Sequence, residues 1–475
     1  MKRKKRELAK PVGSTRVLSP NLAEAHLVAS SQRAERWLCV AFLALLGGVT
    51  FFANLGSPAA VVFDEVHFGK FATSYCCSGE RIFDIHPPHA KELIAATAYI
   101  AGFRGGVPFL HIGEPLVDER ATYLRIWPAL AGFALPLLVL ALLCRLGAQL
   151  PTALLGGLAT AVDNGLLVQS RHILLDSTLL AATFGALWLF LLATTRTGLK
   201  ATLLCVGAGL LAGLAVGTKL TGLVCPALLG VVGLYKIWRS PRQPDRVAWL
   251  MRVATMGAAA IAIYLLGWAI HFAVLGQPGS GDAYYVPTGD FWTDLEHTHQ
   301  IMIATNYGLG ATHPFSSPWW SWPFMSRPIL YWVEADAAIY FVGNPVVWWG
   351  ATALAVGAFW QLLRHGRSWQ RSRLTATLLC CAGVGLSFLP LIGVPRILFM
   401  YHYLPTLVFT MLLGLLWLDK TKFVRSGHIL KQRPIYYGVL VALVAGFALL
   451  SPLTYGWHYS EWYGKAVVGL FPDRR

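Results

Sequence analysis

Nine stretches of this chain contain no Asp, Glu, Lys or Arg: Trp37 to Phe63, Ile126 to Cys144, Ser177 to Thr195, Ala201 to Thr218, Val253 to Gly281, Ala337 to Leu363, Leu374 to Pro395, Ile397 to Leu418 and Pro434 to Ser460. A helix needs about 20 apolar residues to cross a bilayer. In hydrocarbon, helices are the way such uninterrupted apolar runs satisfy their own backbone. The chain therefore reads as an all-α polytopic membrane protein. The same runs explain why charged residues are only 13% of the sequence, against roughly 25% in soluble domains. A soluble multidomain enzyme, a disordered chain and a collagen-like fibre are excluded.

The net charge of +16 invites a nucleic-acid reading, but its distribution points to topology. Segments 1–36, 196–200, 236–252, 364–373 and 419–433, with Arg145, hold 26 of the 39 Lys and Arg and only five of the 23 acids. This is the positive-inside pattern. No RNA- or DNA-reading motif accompanies it, so no nucleic-acid partner is expected. Residues 1–36 read as a cytoplasmic basic tail that touches anionic lipid, and residues 37–475 as the transmembrane domain. We expect eleven spans: 37–56, 126–144, 148–168, 173–195, 201–218, 220–235, 252–274, 338–362, 374–394, 397–418 and 434–454. With the N-terminus inside, an odd number puts the C-terminus outside. The first apolar run is too long, and its basic flank too extended, for a cleaved signal peptide.

Two long outer loops remain, 57–124 and 277–336, rich in Trp, His, Pro, Gly and acids. Loops this long are usually functional. Within the first, Glu92 to Phe103 has one apolar face and is too short to span, so it reads as an interfacial helix. Six cysteines fall in or at spans, as small hydrophobes do. Cys76 and Cys77 lie outside; neighbouring cysteines rarely bridge, so no disulfide is expected. There is no internal repeat, no zinc spacing, no Walker loop and no dinucleotide-binding glycine fingerprint.

The densest local signal follows the first span: Phe63-Asp64-Glu65-Val66-His67-Phe68-Gly69-Lys70-Phe71, then Phe83-Asp84-Ile85-His86-Pro87-Pro88-His89-Ala90-Lys91. A carboxylate that directly follows an apolar run is poorly solvated, which raises its pKa and makes it a better base. His86-Pro87-Pro88 forms a rigid turn that presents an imidazole. Further along stand Arg125 with Ala129-Leu130-Ala131-Gly132, Arg171 through Ser177, Gly213 through Leu223 around Lys219, His313-Pro314 through Trp322-Pro323 with Arg327-Pro328 and Tyr331-Trp332, and Tyr401-His402-Tyr403-Leu404-Pro405. In this order the motifs resemble those of the protein O-mannosyltransferases, membrane glycosyltransferases of the GT-C fold that use a polyprenyl-phosphate sugar donor. Eukaryotic members carry a soluble MIR domain in the second outer loop. Here about 60 residues occupy that loop, so the resemblance is to a smaller bacterial branch.

The resemblance implies mannose transfer from polyprenyl-phosphate-mannose to Ser or Thr of exported proteins, met at the secretion channel, on the outer face of a bacterial inner membrane. Asp64 would be the base of an inverting single displacement. Glu65 would position the loop or a sugar hydroxyl. Arg125, Lys219 and Arg396 are candidates for the donor phosphate, Arg by its fork and Lys as a point charge. Arg171 with Asp163 or Asp176 reads as a local ion pair. His86, His299, His313, Trp322, Arg327, Tyr331, His402 and Tyr403 are candidates for positioning substrate or loops. Trp319, Trp320, Trp322 and Trp332 form either an interfacial belt or a stacking surface. The histidines show no ligand spacing, so no metal or other cofactor is expected. Two alternatives stay open: the same chemistry with another sugar or a glycolipid acceptor, and a lipid-linked-sugar transporter. The transporter would need charges inside the spans and inverted repeats. Oligomeric state is not readable.

Overall fold

The computed structural model describes residues 20–308, 310, 312–421, 423–424 and 432–471, with side chains from Arg33 onward. The described residues divide into two units, one up to Phe42 and one from Leu43. The described part of the first is the opening of helix α1 (Pro20–Phe52), where Trp37, Leu38 and Phe42 are exposed. Apolar side chains on the outside are what a lipid-facing helix presents.

The second unit is a bundle. After α1 come α2 (Glu65–Thr73), α3 (His89–Ala101), α4 (Ile126–Arg145), α5 (Leu150–Ala161), α6 (Asn164–Arg171), α7 (Asp176–Ala193), α8 (Gly198–Thr218), α9 (Val224–Arg239) and α10 (Gln243–Val274). Then follow α11 (Phe291–Gly308), a hairpin of β1 (Ile329–Glu334) and β2 (Ala337–Phe341), α12 (Pro345–His365), α13 (Arg371–Ile392), α14 (Leu404–Leu418), α15 (Pro434–Tyr455) and α16 (Glu461–Ala466). Ten helical stretches among the described residues are long and apolar enough to cross a membrane, or eleven with the bent pair α5–α6. The core is built on close helix pairs. α8 packs on α7 and α10; Gly209 and Gly213 of α8 lie against the backbone of Met256 and Ala260, where any Cβ would overlap. Small residues allow that approach between membrane helices.

Several boundaries differ from the hydropathy reading. The expected span 148–168 is two helices, α5 and α6, bent by 53°. Asp163 makes the break: its carboxylate caps α6 at the Leu166 N–H and accepts the Asn344 N–H and Trp348 Nε1–H. The expected span 338–362 begins only at Pro345, because Ala337–Phe341 is the fully buried strand β2. A short apolar run does not say by itself whether it is strand or helix. Residues 397–399 are not helical, with Phe399 extended, and a 3₁₀ turn at Met400–Tyr403 leads into α14. Residues 277–341 carry α11 and the hairpin, so the architecture is all-α with one added two-stranded sheet. Cys76 and Cys77 are joined in a disulfide within a π-helical turn that continues α2, against the sequence expectation.

Candidate active site

The site starts with a strained residue. Phe63 has φ +48°, a left-handed conformation that an aromatic side chain rarely adopts. Its N–H donates to the Tyr331 carbonyl at 3.0 Å, and its ring stacks on the Tyr331 ring at 4.0 Å between centroids. Packing on β1 therefore holds the turn. The next residue, Asp64, is the N-cap of α2, yet its carboxylate caps nothing. It is half-buried and has no hydrogen-bond or ion-pair partner among the described residues. Burial pushes its carboxyl up to about 7; Lys219 nearby pulls it down, and Asp176 and Asp84 push it up.

Glu65, one residue on, is treated oppositely. It is fully buried and takes a forked ion pair from Arg125, with Nε and Nη2 each 2.8 Å from a carboxylate oxygen. It also accepts the Val62 and Ile173 N–H groups at 2.9 Å. Burial alone would raise its pKa, but the Arg125 charge and the hydrogen bonds outweigh that and hold it at about 2. Glu65 thus fastens the loop before Asp64 to the chain entering α7. Arg125, a candidate for the donor phosphate, is engaged by Glu65 instead of lining the cleft described below. It is fully buried, and its other N–H groups donate to the carbonyls of Leu55, Pro58 and Ala60.

The proline turn works the same way. Lys91 is buried, 2.5 Å from Asp84 and 2.8 Å from the His86 carbonyl. The ring of His89 lies against Gly217 of α8 and Gly267 of α10 and bonds the Ile263 carbonyl at 2.9 Å, so it wedges the turn between two spans. His86 is left facing a cleft. Burial, then the Lys219, Lys91 and Arg396 charges and His402, depress its pKa well below the ordinary value.

That cleft, of about 200 Å³, is lined by the polar residues His86, Asp176, Lys219, Thr221, Asn306, Arg396 and His402 together with the apolar Leu179, Leu220, Leu391, Val394 and Leu398. Lys219 ends α8 in an extended conformation, which turns its side chain back to Asp176 at 2.8 Å from both carboxylate oxygens. Arg396 is half-buried and makes no hydrogen bond or ion pair among the described residues. Cations and apolar side chains in one cleft are what the phosphate and chain of a lipid phosphate require. Among the described residues no group of three or more His, Cys, Asp or Glu could hold a metal ion.

Two family models match the chain in sequence order. Residues 41–276 match that of the dolichyl-phosphate-mannose-protein mannosyltransferases. Residues 291–467 match that of the C-terminal four-span region of protein O-mannosyltransferases. The chain belongs to the protein O-mannosyltransferase family. Among its curated relatives, dolichyl-phosphate-mannose–protein mannosyltransferase 4 of Candida albicans is 32% identical over 257 residues, half of this chain and 33% of the relative. The match thus spans about a third of that relative's length. The structure of the Saccharomyces cerevisiae protein O-mannosyltransferase Pmt1-Pmt2 complex bound to the sugar donor superposes with a TM-score of 0.84 at 19% identity, covering 91% of both chains. ArnT of Cupriavidus metallidurans, bound to undecaprenyl phosphate, superposes at 0.53 and 16% identity over 88% of this chain and 64% of its own. Both share the GT-C fold.

In this member of the family the remaining motif residues divide between cleft and scaffold. His402 is in the cleft, with its Nδ1 at 3.0 Å from the Phe399 carbonyl. Trp322 stacks behind it, fully buried, its indole N–H on Ser317. Tyr331 backs Phe63 and donates to Gln169 at 2.7 Å. Tyr403 packs on Trp348 and Phe388. His313 packs edge-on to Phe399, and Arg327 donates to the Ser316 carbonyl at 2.6 Å. His299 lies apart from the cleft, bonded to Tyr264 and the Leu295 carbonyl. Of the four tryptophans, Trp322 and Trp332 are buried while Trp320 is exposed, so they share no single surface. Arg171 makes no local ion pair. It donates to the Thr50, Phe51, Ala53 and Asn54 carbonyls at the end of α1 and stacks on Tyr455. An arginine fork suits the unpaired carbonyls at a helix C-terminus. Asp176, Thr221 and Asn306 were not singled out for the cleft. Asp176 sits in a motif quoted above, but only the fold shows that its partner is Lys219.

Proposed function

We propose that this protein transfers mannose from a polyprenyl-phosphate-linked donor to Ser or Thr hydroxyls of exported proteins. One observation carries the reading. Asp64, an unpaired carboxylate with its pKa raised to about 7, stands by a cleft whose cations include the unengaged Arg396. A base for a hydroxyl needs a pKa near working pH, and a departing phosphate needs fixed positive charge. The acceptor oxygen attacks the anomeric carbon as its proton passes to Asp64. The bond from that carbon to the phosphate oxygen breaks, and the electron pair leaves with the lipid phosphate beside Lys219 and Arg396. One carboxylate suffices for this inverting displacement. Glu65 is buried under Arg125 and unsuited to be a nucleophile. His86 and His402, in the same cleft, would contact the sugar or phosphate.

The charge pattern supports an N-terminus on the cytoplasmic side, with the site and C-terminus on the outer face. The short second loop supports a bacterial cell membrane. The test is transfer of radiolabelled mannose from its polyprenyl phosphate to a Thr-containing peptide by the solubilised protein, with Asp64→Asn and EDTA in parallel. Loss of transfer in Asp64→Asn and survival in EDTA support the reading. Label in added lipid instead of peptide replaces the acceptor, and turnover by Asp64→Asn removes the base.

A further inference from the structure

A chain of buried hydrogen bonds runs from the cleft to the loop that carries Asp64. Lys219 Nζ lies 2.8 Å from both oxygens of Asp176. Asp176 Oδ2 accepts Gln169 Nε2–H at 2.6 Å, and Gln169 Oε1 accepts the Tyr331 hydroxyl at 2.7 Å. Tyr331 stacks on Phe63, the residue before Asp64, and its carbonyl receives the Phe63 N–H. Asp176 and Gln169 are buried. The ammonium also lies 5.4 Å from the Tyr401 ring centroid, and that ring packs edge-on to Phe63.

We propose that Asp176 is a positioning residue that fixes the Lys219 ammonium at one point of the cleft and, through Gln169 and Tyr331, ties that point to the turn holding Asp64. The inference rests on the phosphate role proposed for Lys219. A lysine is a point charge on a flexible stem and does not hold its own place. Left free, the ammonium follows the phosphate wherever it sits in the ground state, which favours binding and not the chemical step. Held by two carboxylate oxygens, it waits where charge develops as the phosphate departs. Asp176 also places a negative charge beside the phosphate, which opposes ground-state binding. The arrangement therefore weakens binding and favours turnover.

This gives a split that a merely structural role would not produce. In Asp176→Asn, kcat should fall about tenfold or more, while the Kd for undecaprenyl phosphate is unchanged or tighter. In Lys219→Gln the Kd should weaken, by about tenfold. On top of Lys219→Gln, Asp176→Asn should change kcat by less than about twofold, since both act through one ammonium. The pH profile supplies a second readout. Asp64 is faced by Lys219, Asp176, Asp84, Tyr331 and Tyr401. Removing the Asp176 charge lowers the Asp64 pKa, so the acid limb of kcat/KM should move to lower pH.

The experiment measures undecaprenyl phosphate binding and mannose transfer by the full chain in nanodiscs, with thermal melting alongside. If Asp176→Asn does not fold, Gln169→Leu removes the hold on Asp176 without touching a charge; kcat should then fall with Kd unchanged. Binding weakened more than about threefold in the folded variant overturns the proposal, as does a kcat loss equally large with and without Lys219. If the wild type transfers no mannose, the functional reading fails, and the binding results still decide this one.

Discussion

Replacing Glu65 by Gln removes one charge from a buried pair and keeps its shape. The cost can be worked in two ways. Glu65 is held at about 2, against an ordinary 4.5, and at about 1.4 kcal/mol per decade this is roughly 3 kcal/mol. Removing one partner of a buried ion pair costs about 3–5 kcal/mol, because the other charge is left uncompensated. The two agree. The amide cannot rescue the site, because Arg125, Val62 and Ile173 all donate to this carboxylate, and an NH₂ in either orientation faces a donor. For a chain of this size the melting temperature should fall by roughly 5 °C, read by a dye-free thermal melt in detergent at pH 7. The sign with pH follows from the direction of the shift. A depressed carboxyl contributes stability above about 4.5 that is lost as pH falls towards 2, so the deficit should shrink in acid. A melt within about 1 °C of wild type at pH 7 would refute the reasoning.

Asp64→Asn should abolish transfer without destabilising. The raised Asp64 carboxyl stabilises the fold below its ordinary 3.8, and that contribution is lost as pH rises through about 7. The variant should therefore melt slightly above wild type at pH 8 and show no such gain at pH 4. Wild-type kcat/KM should rise with pH and level off above about 7, the value at which Asp64 ionises; an acid limb near 4 would contradict this. Arg396→Gln should raise the donor KM by about tenfold with little change in melting, because Arg396 makes no hydrogen bond or ion pair among the described residues. Asp163→Ala leaves the Asn344 N–H and Trp348 N–H without their acceptor and should cost about 2–4 kcal/mol, seen as a lower melting temperature with donor KM unchanged in the folded fraction.

The apolar runs determined the class of fold without reference to any partner. A charge-free run of 20 residues has few alternatives to a helix in lipid, so the polytopic all-α architecture reads directly from such runs. The order of the outer-loop motifs led to the family in the same way, because each is local in the chain. What needed tertiary structure was partnership. Arg125 reads as a phosphate ligand because an arginine near an outer loop has many possible partners, and only the fold shows Glu65, sixty positions away, meeting it. Arg171 and Asp176 are five residues apart and look like a pair, yet each finds a distant one: the carbonyls that end α1, and Lys219. The bend at Asp163 and the strand β2 escaped for a related reason. An apolar stretch specifies burial, but whether it continues as a helix depends on neighbours such as Asn344 and Trp348, 181 and 185 positions along the chain. Burial is a one-dimensional signal; the pairing of buried charges is decided in three dimensions, because desolvation makes each charge take whatever partner the packed fold brings within reach.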